Sequence, residues 1–412
     1  MTLDTVAPVP QGIAATRTTR RGVILMTIAS ATQTGAGLAA LNYCKALLLE
    51  KWHVVVACGP PPREEGDRSI VALRQAGVEV RQLDRVVAST WPVWRQLRAI
   101  ATDVKPAAVV GMMLRDRPVA MVLAKWLGVP GIVAAGNQHM FQGPLPVRLA
   151  KRWIYKVTVG RWASLVFCPS DPVLTEICAF GVPADRAVLV PNGIVVGARV
   201  RLTPELRTSL RAELGAGPDD ILLLNVGRFD PQKGQDLLIG AFAKCARDRP
   251  RLRLALVGDV IGGASRTSLT AFAKDLHRRV QASGCEQQIR LAGWRSDVQL
   301  LLTASDGYVH SARWEGLSLA VLEAMASGLP VVMTDCSGTP DGFAEARNGW
   351  VVTKGNEESL GIALSRLADL RPSDRADMGA RNRQLIEERY DIRVIGRRFT
   401  DLVAATVQRG RA

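Results

Sequence analysis

Cysteine and histidine are sparse in this chain, and each shortage closes off a class of function. The seven cysteines, Cys44, Cys58, Cys168, Cys178, Cys245, Cys285 and Cys336, are scattered, odd in number and form no C-x-x-C pair. Neither a disulfide framework nor a cysteine-held zinc is expected from that usage, and a reducing, cytoplasmic compartment fits it. Four histidines occur in 412 residues with no H-x-x-H, H-E-x-x-H or D-x-D element, so no protein-held metal is expected. No apolar run reaches the ~20 residues that span a bilayer; the nearest, 118–135, is cut by Lys125, Gly128 and Pro130. Residues 1–21 carry Arg17, Arg20 and Arg21 but no apolar core and cleavage site, and read as a loose tail, not a secretion signal.

Acidic residues are also outnumbered. The 53 Lys and Arg against 38 Asp and Glu give a net charge of +15, which implies an anionic partner: a phosphorylated substrate, an anionic membrane face or nucleic acid. No basic run carries a nucleic-acid reading motif, so nucleic acid is not expected. A chain of this length exceeds what one core supports, which predicts two domains. Short apolar runs at 23–28, 53–57, 78–82, 107–111, 131–135, 165–168 and 187–190 alternate with helical patterns, the signature of a parallel α/β layer. The pattern restarts at 221–226, 252–257, 288–291, 306–309 and 330–333, with helices such as 235–247 and 317–327 between. The polar, Gly-containing stretch 192–218 is read as the hinge. Two doubly wound units in tandem predict a cleft between their carboxyl-end crevices.

The segment Glu315-Gly316-Leu317-Ser318-Leu319-Ala320-Val321-Leu322-Glu323 holds two carboxylates. In one continuous helix they would stand ~12 Å apart along the axis and ~80° apart around it, so they cannot act as a single acid/base pair. Gly316 is better placed ending a loop, with a helix from Leu317-Ser318 stopping at Gly328 before Pro330. Glu315 then lies at a helix mouth and Glu323 inside the helix. The amides of Gly316, Leu317 and Ser318 would suit a phosphate. The plainer alternative is a helix-start acid and a solvated glutamate. Strand 221–226 runs into Gly227-Arg228-Phe229-Asp230-Pro231-Gln232-Lys233-Gly234, placing Arg228 and Lys233 where a diphosphate is expected, or as two solvated bases in a turn. The first strand runs into Thr34-Gly35-Ala36-Gly37, a turn that lets backbone approach a ligand but is neither G-x-G-x-x-G nor a P-loop. His139 and His310 follow strand ends, while His53 and His277 read as structural or solvated. Residues 146–163 interleave Arg148, Lys151, Arg152, Lys156 and Arg161 with Leu149, Trp153, Ile154, Tyr155 and Trp162. That mixture suits an anionic membrane surface, or equally a surface helix whose apolar stripe faces its own core.

Assembled, these residues resemble the retaining GT-B glycosyltransferases of the family-four type (glycosyl transferases group 1), common in bacterial polysaccharide and glycolipid assembly. The likeness is carried by Pro169-Ser170, Gly181-Val182-Pro183, Val190-Pro191-Asn192-Gly193-Ile194, Val226-Gly227-Arg228 with Lys233-Gly234, Leu256-Val257-Gly258, Leu291-Ala292-Gly293, the Glu315-to-Glu323 segment running on to Val332, and Asn348-Gly349. The resemblance implies two Rossmann-like domains, 22–195 and 196–391, with 392–412 returning to the first. It implies a nucleotide-diphosphate sugar donor, UDP- or GDP-linked, with no tightly bound cofactor or metal, and a glycan or lipid-linked acceptor. Position by position it implies that Arg228 and Lys233 hold the diphosphate and Glu323 the ribose. Glu315, Gly316, Leu317 and Ser318 would meet the sugar and phosphates, Gly35 and Gly37 would approach from the other domain, and His139 would be the first domain's active-site histidine. Retention of configuration, with the leaving phosphate deprotonating the acceptor, is also implied. The chain is expected in the cytoplasm, with 146–163 as the stretch that would meet the inner face of the cytoplasmic membrane. The chain departs from the family pattern at Cys336-Ser337-Gly338-Thr339-Pro340-Asp341. A nucleotide-sugar epimerase, a phosphorylase or a non-catalytic sugar-nucleotide binder would share the cleft.

Overall fold

The computed structural model describes residues 21–30, 35–61, 68–87, 91–136, 144–260, 266–336 and 338–411. Seven strands form the first sheet: β1 Val23–Ile28, β2 His53–Cys58, β3 Glu79–Gln82, β4 Ala108–Gly111, β5 Gly131–Ala134, β6 Ala163–Cys168 and β7 Ala187–Leu189. Their order is β3-β2-β1-β4-β5-β6-β7, and every pairing is parallel. Six more form the second: β8 Ile221–Val226, β9 Leu252–Val257, β10 Ile289–Gly293, β11 Gly307–His310, β12 Val331–Thr334 and β13 Gly349–Val352. They run β10-β9-β8-β11-β12-β13, again all parallel. In each sheet the first strand is central and the chain reverses direction beside it, which creates a crevice at the carboxyl ends of β1 and β4 and of β8 and β11.

The strands read as continuous apolar runs because helices cover both faces. Ile24, Met26 and Ile28 point into one core with Tyr43, Leu47 and Phe167, while Leu25 enters the opposite core with Leu97, Met121 and Tyr155. The last helix, Ile392–Arg411, joins the first of these cores through Ile392, Ile395, Phe399, Val403 and Val407. Phe399 lies 4.4 Å from the Tyr43 ring and 4.8 Å from Phe167, and its full burial contributes about 2–3 kcal/mol.

Three features differ from the sequence reading. The polar stretch 192–218 is not all loop: Pro204–Glu213 is helical, with Thr203 accepting the Leu206 amide as its cap. Strand β13 was absent from the strand assignment. The helix after Glu315 begins at Leu319, not Leu317-Ser318, because Ser318 keeps an extended backbone (φ −74°, ψ 116°) at the cap position.

Candidate functional site

Loop 227–234, at the carboxyl end of β8, is shaped by its own side chains. Asp230 accepts the Gln232 amide at 2.8 Å, closing the turn Pro231–Lys233. Gln232 donates to the Trp314 carbonyl at 3.0 Å, tying this loop to the one after β11. Gly234 has φ +64°, and a Cβ there would stand 2.1 Å from the Ser311 carbonyl oxygen, so only glycine lets the two loops meet. Arg228 is held by Asp230 at 3.2 Å and donates to Gln232 at 3.3 Å.

That convergence brings Lys233 against Glu315, where the ammonium donates to Glu315 Oε2. Burial works to raise the Glu315 carboxyl, but Lys233 beside it, with His310 and Arg228, overcomes this and holds it below the usual carboxylate range. His310 Nε2 stands 4.0 Å from the same oxygen and is buried without a hydrogen-bond partner among the described residues. Burial, then Lys233, lowers its pKa to about 4, so the ring is neutral at neutral pH. These groups edge a narrow crevice, lined also by Ser318, Val321, Met333, Thr334 and Cys336.

Leu319–Ala326 points its amino terminus at this cleft. The Gly316, Leu317 and Ser318 amides take no backbone acceptor among the described residues, and with the helix mouth they present a positive end. Glu323 lies in the helix's second turn and makes no ion pair or side-chain hydrogen bond among the described residues; burial pushes its carboxyl up to about 7. Glu315 and Glu323 therefore sit in different environments, one paired with a cation and one alone.

The first domain meets this loop directly. A Cβ on Gly316 would lie 2.1 Å from the Gly136 carbonyl oxygen and 3.4 Å from Pro169, so the ends of β5 and β6 touch the start of the Glu315 segment. Asn192 donates to the Leu317 carbonyl at 3.0 Å. Helix Gly35–Leu49 opens just after β1, with Leu38 and Ala39 of its first turns packed on the core that holds Leu319 and Leu322. Gly35 and Gly37 thus lie at the start of a helix facing the second domain, and no atom of the described residues comes within 4 Å of where a Gly35 Cβ would stand. His139 lies outside the described residues.

Sequence reasoning passed over Asp116. Fully buried, it accepts from Thr27 Oγ1 at 2.9 Å and from the amides of Ala29, Met112 and Met113 at 3.0, 2.9 and 3.0 Å. Burial raises its carboxyl to about 7 against these donors. It stands just before helix Arg117–Leu127 yet caps nothing in it; instead it fixes the crevice between β1 and β4. Asp116-Arg117-Pro118, which has the form of a helix start, was the available signal.

Stretch 146–163 also differs from an ordinary surface helix. In Leu145–Tyr155 only Tyr155 is buried. Leu145, Leu149 and Trp153 are 58%, 54% and 65% exposed, so the apolar arc faces away from the protein. Arg148, Lys151 and Arg152 flank Tyr155 on the wheel. No helix among the described residues is long and apolar enough to cross a membrane, and no group of three or more metal-binding side chains occurs among them.

Residues 207–385 match the model of "Glycosyl transferases group 1" and residues 34–193 that of "Glycosyl transferase 4-like domain". The chain is similar to a GDP-mannose-dependent monoacylated alpha-(1-6)-phosphatidylinositol monomannoside mannosyltransferase of Corynebacterium glutamicum, 31% identical over 222 residues, covering 52% of this chain and 55% of the relative. It is also similar to the lipopolysaccharide core biosynthesis glycosyltransferase LpsE of Rhizobium meliloti, 33% identical over 157 residues, covering 38% and 42%. The chain spans about half the length of these curated relatives. In fold it is similar to Anabaena Alr3699/HepE in complex with UDP-glucose (TM-score 0.79, 21% identity, 93% of this chain and 99% of that one). Sucrose-phosphate synthase of Thermosynechococcus elongatus is likewise similar (TM-score 0.76, 17% identity, 93% and 98%). With two all-parallel sheets and family matches over both halves, the fold is GT-B and the chain belongs to the glycosyl transferases group 1.

Proposed function

We propose that this chain is a glycosyltransferase that moves a sugar from a UDP- or GDP-linked donor to a glycan or lipid-linked acceptor with retention of configuration. The observation that carries this reading is the meeting of Arg228, Lys233 and Glu315 before the mouth of helix Leu319–Ala326. Two cations and free amides suit a diphosphate, and the carboxylate stands beside them for the sugar. Glu323, unpaired one turn deeper, is assigned the ribose hydroxyls. The leaving phosphate, held by Arg228 and Lys233, would take the acceptor proton. The relatives named for phosphatidylinositol mannoside and lipopolysaccharide core support a lipid-linked acceptor at the cytoplasmic face of a membrane. The outward apolar arc of Leu145–Tyr155 supports peripheral contact there. Incubation with sugar nucleotides and a lipid-linked acceptor tests the reading by formation of a product whose linkage keeps the donor's anomeric configuration; the inverted anomer would overturn retention. Donor epimerised without acceptor, or donor bound and never consumed, would replace it.

Two variants probe the assignment. Burial raises Glu323 to about 7 from the ordinary 4.5, so folding favours its protonated form and stability falls as pH rises between those values. Ribose hydroxyls donate to the ionised form, so nucleotide affinity should climb with pH and level off above about 7. Glu323→Gln should weaken nucleotide binding and flatten that dependence; calorimetry in buffers of different protonation enthalpy reads the released proton, and a pH-independent wild type removes the assignment. Gly316→Ala places a methyl against the Gly136 carbonyl. A displacement of about 1 Å there is expected to cut kcat/KM about 100-fold, and wild-type turnover would mean that the loops part freely.

A further inference from the structure

Helices Trp91–Val104, Arg117–Leu127 and Leu145–Tyr155 all feed the core on one face of the first sheet through Val93 and Leu97, Met121 and Leu123, and Tyr155. The first packs on the second, and the second on the turn Lys156–Gly160 that continues the third. They form a row, and their outer sides make one surface. Between residues 91 and 170 there are eleven Lys and Arg against two acids, Asp103 and Asp116; Asp116 and Arg117 are both buried, which leaves ten bases against one acid outside the core.

Beyond Leu145–Tyr155, this surface has a second centre. Trp91, Arg95, Arg98 and Thr102 follow at steps of four, three and four, one line along the side of their helix opposite buried Val93, Leu97 and Ala101. Arg95, Arg98, Ala99 and Thr102 line a shallow groove of about 490 Å³. Asp103, at its edge, is engaged by Arg81 at 3.0 Å. Trp91 is 68% exposed and Trp126, on the neighbouring helix, 45%. The Arg98 guanidinium stacks 4.4 Å over the Trp126 ring, a pose that fixes its plane while leaving its edge donors for an oxyanion.

We propose that this groove binds the phosphate of an anionic phospholipid, making the outer face of the first domain a two-point dock. Leu145, Leu149 and Trp153 enter the bilayer interface, Arg95 and Arg98 take a headgroup phosphate, and Trp91 and Trp126 lie at headgroup depth. The inference rests on the membrane reading above and adds a second, separable contact. Charge complementarity names the occupant: a basic face with tryptophans and aliphatic side chains at its surface matches an anionic bilayer, whereas a nucleic acid would leave the aliphatic side chains without a partner.

The test is co-sedimentation of the full chain with phosphatidylcholine vesicles with and without phosphatidylglycerol. Binding should require phosphatidylglycerol. Each basic contact is worth roughly five-fold, so Arg95→Ala with Arg98→Ala should weaken binding about 30-fold, and Leu149→Glu with Trp153→Glu should abolish it. All four residues are at the surface, and affinity for a sugar nucleotide should be unchanged in both variants. If the arginine variant binds like wild type while the helix variant does not, the groove proposal falls and the single-helix membrane reading survives. If wild type binds neither vesicle, both fall. Loss of self-association in the helix variant without vesicle binding in wild type, or duplex DNA binding lost in the arginine variant with vesicle binding retained, also overturns the proposal.

Discussion

Lys233→Ala is expected to weaken sugar-nucleotide binding by roughly 1.5–3 kcal/mol, about ten- to a hundred-fold, because it removes a charge-assisted contact to a phosphate. The same change strikes the protein without donor. Lys233 and Glu315 are both largely buried, with side chains 17% and 11% exposed, and removing one partner leaves the other charge without compensation, at about 3 kcal/mol of stability. Glu315 would then lose the nearest of the charges that hold it down, leaving only His310 and Arg228 against burial, and its pKa should rise. Stability of the variant should therefore fall with rising pH across the interval from the unfolded to the raised folded value. Adding Glu315→Gln removes the stranded charge. The double variant should recover stability in denaturant titrations but not donor affinity in calorimetry. If affinity returns with stability, Lys233 acts only on Glu315, and the phosphate assignment is lost.

That pair marks where sequence reasoning stops. Strands such as Val23–Ile28 and Ile221–Val226 were legible because a parallel strand covered on both faces must be apolar throughout. Strand Gly349–Val352 was not: it is four residues long and opens on a glycine whose Cβ would lie 1.8 Å from the Val331 carbonyl, a packing fact invisible in one segment. Helix Pro204–Glu213 escaped for another reason. It buries only Leu210 and Arg211, so it has no apolar stripe to read. For the site, the order strand, loop, helix located Arg228, Lys233 and Glu315 at carboxyl ends. The contact of Lys233 with Glu315 spans 82 positions and depends on Gly234 passing Ser311. The spacing in Leu145–Tyr155 showed two arcs without showing which one the core would take. Tyr155, lodged in the core between the basic residues, decides it.

Arg211→Ala should be among the most destabilising single changes in the second domain while leaving donor affinity intact. Its guanidinium is almost completely buried. It donates to the carbonyls of Gly217 at 3.1 Å and Ala304 at 3.0 Å, to the Asp220 carbonyl, and to Asp306 at 2.8 Å. Asp306 in turn accepts from the Leu222 amide at 2.8 Å. This network clamps the amino-terminal ends of β8 and β11, the edge of the sheet opposite the loops that carry Arg228 and Glu315. Truncation strands the buried Ala304 carbonyl, takes a donor from the half-buried Gly217 and Asp220 carbonyls and weakens the tie on a carboxylate only 17% exposed, at a cost of about 3 kcal/mol. Replacement by Leu should not recover this, since the unmet groups are acceptors. Denaturant unfolding monitored over the second domain reads the loss, and nucleotide calorimetry below the transition reads the site. A variant of wild-type stability would show that water replaces the guanidinium. Weakened donor binding in a chain still folded would show that the two edges of the sheet are coupled, and that the crevice depends on how its strands are held at their far ends.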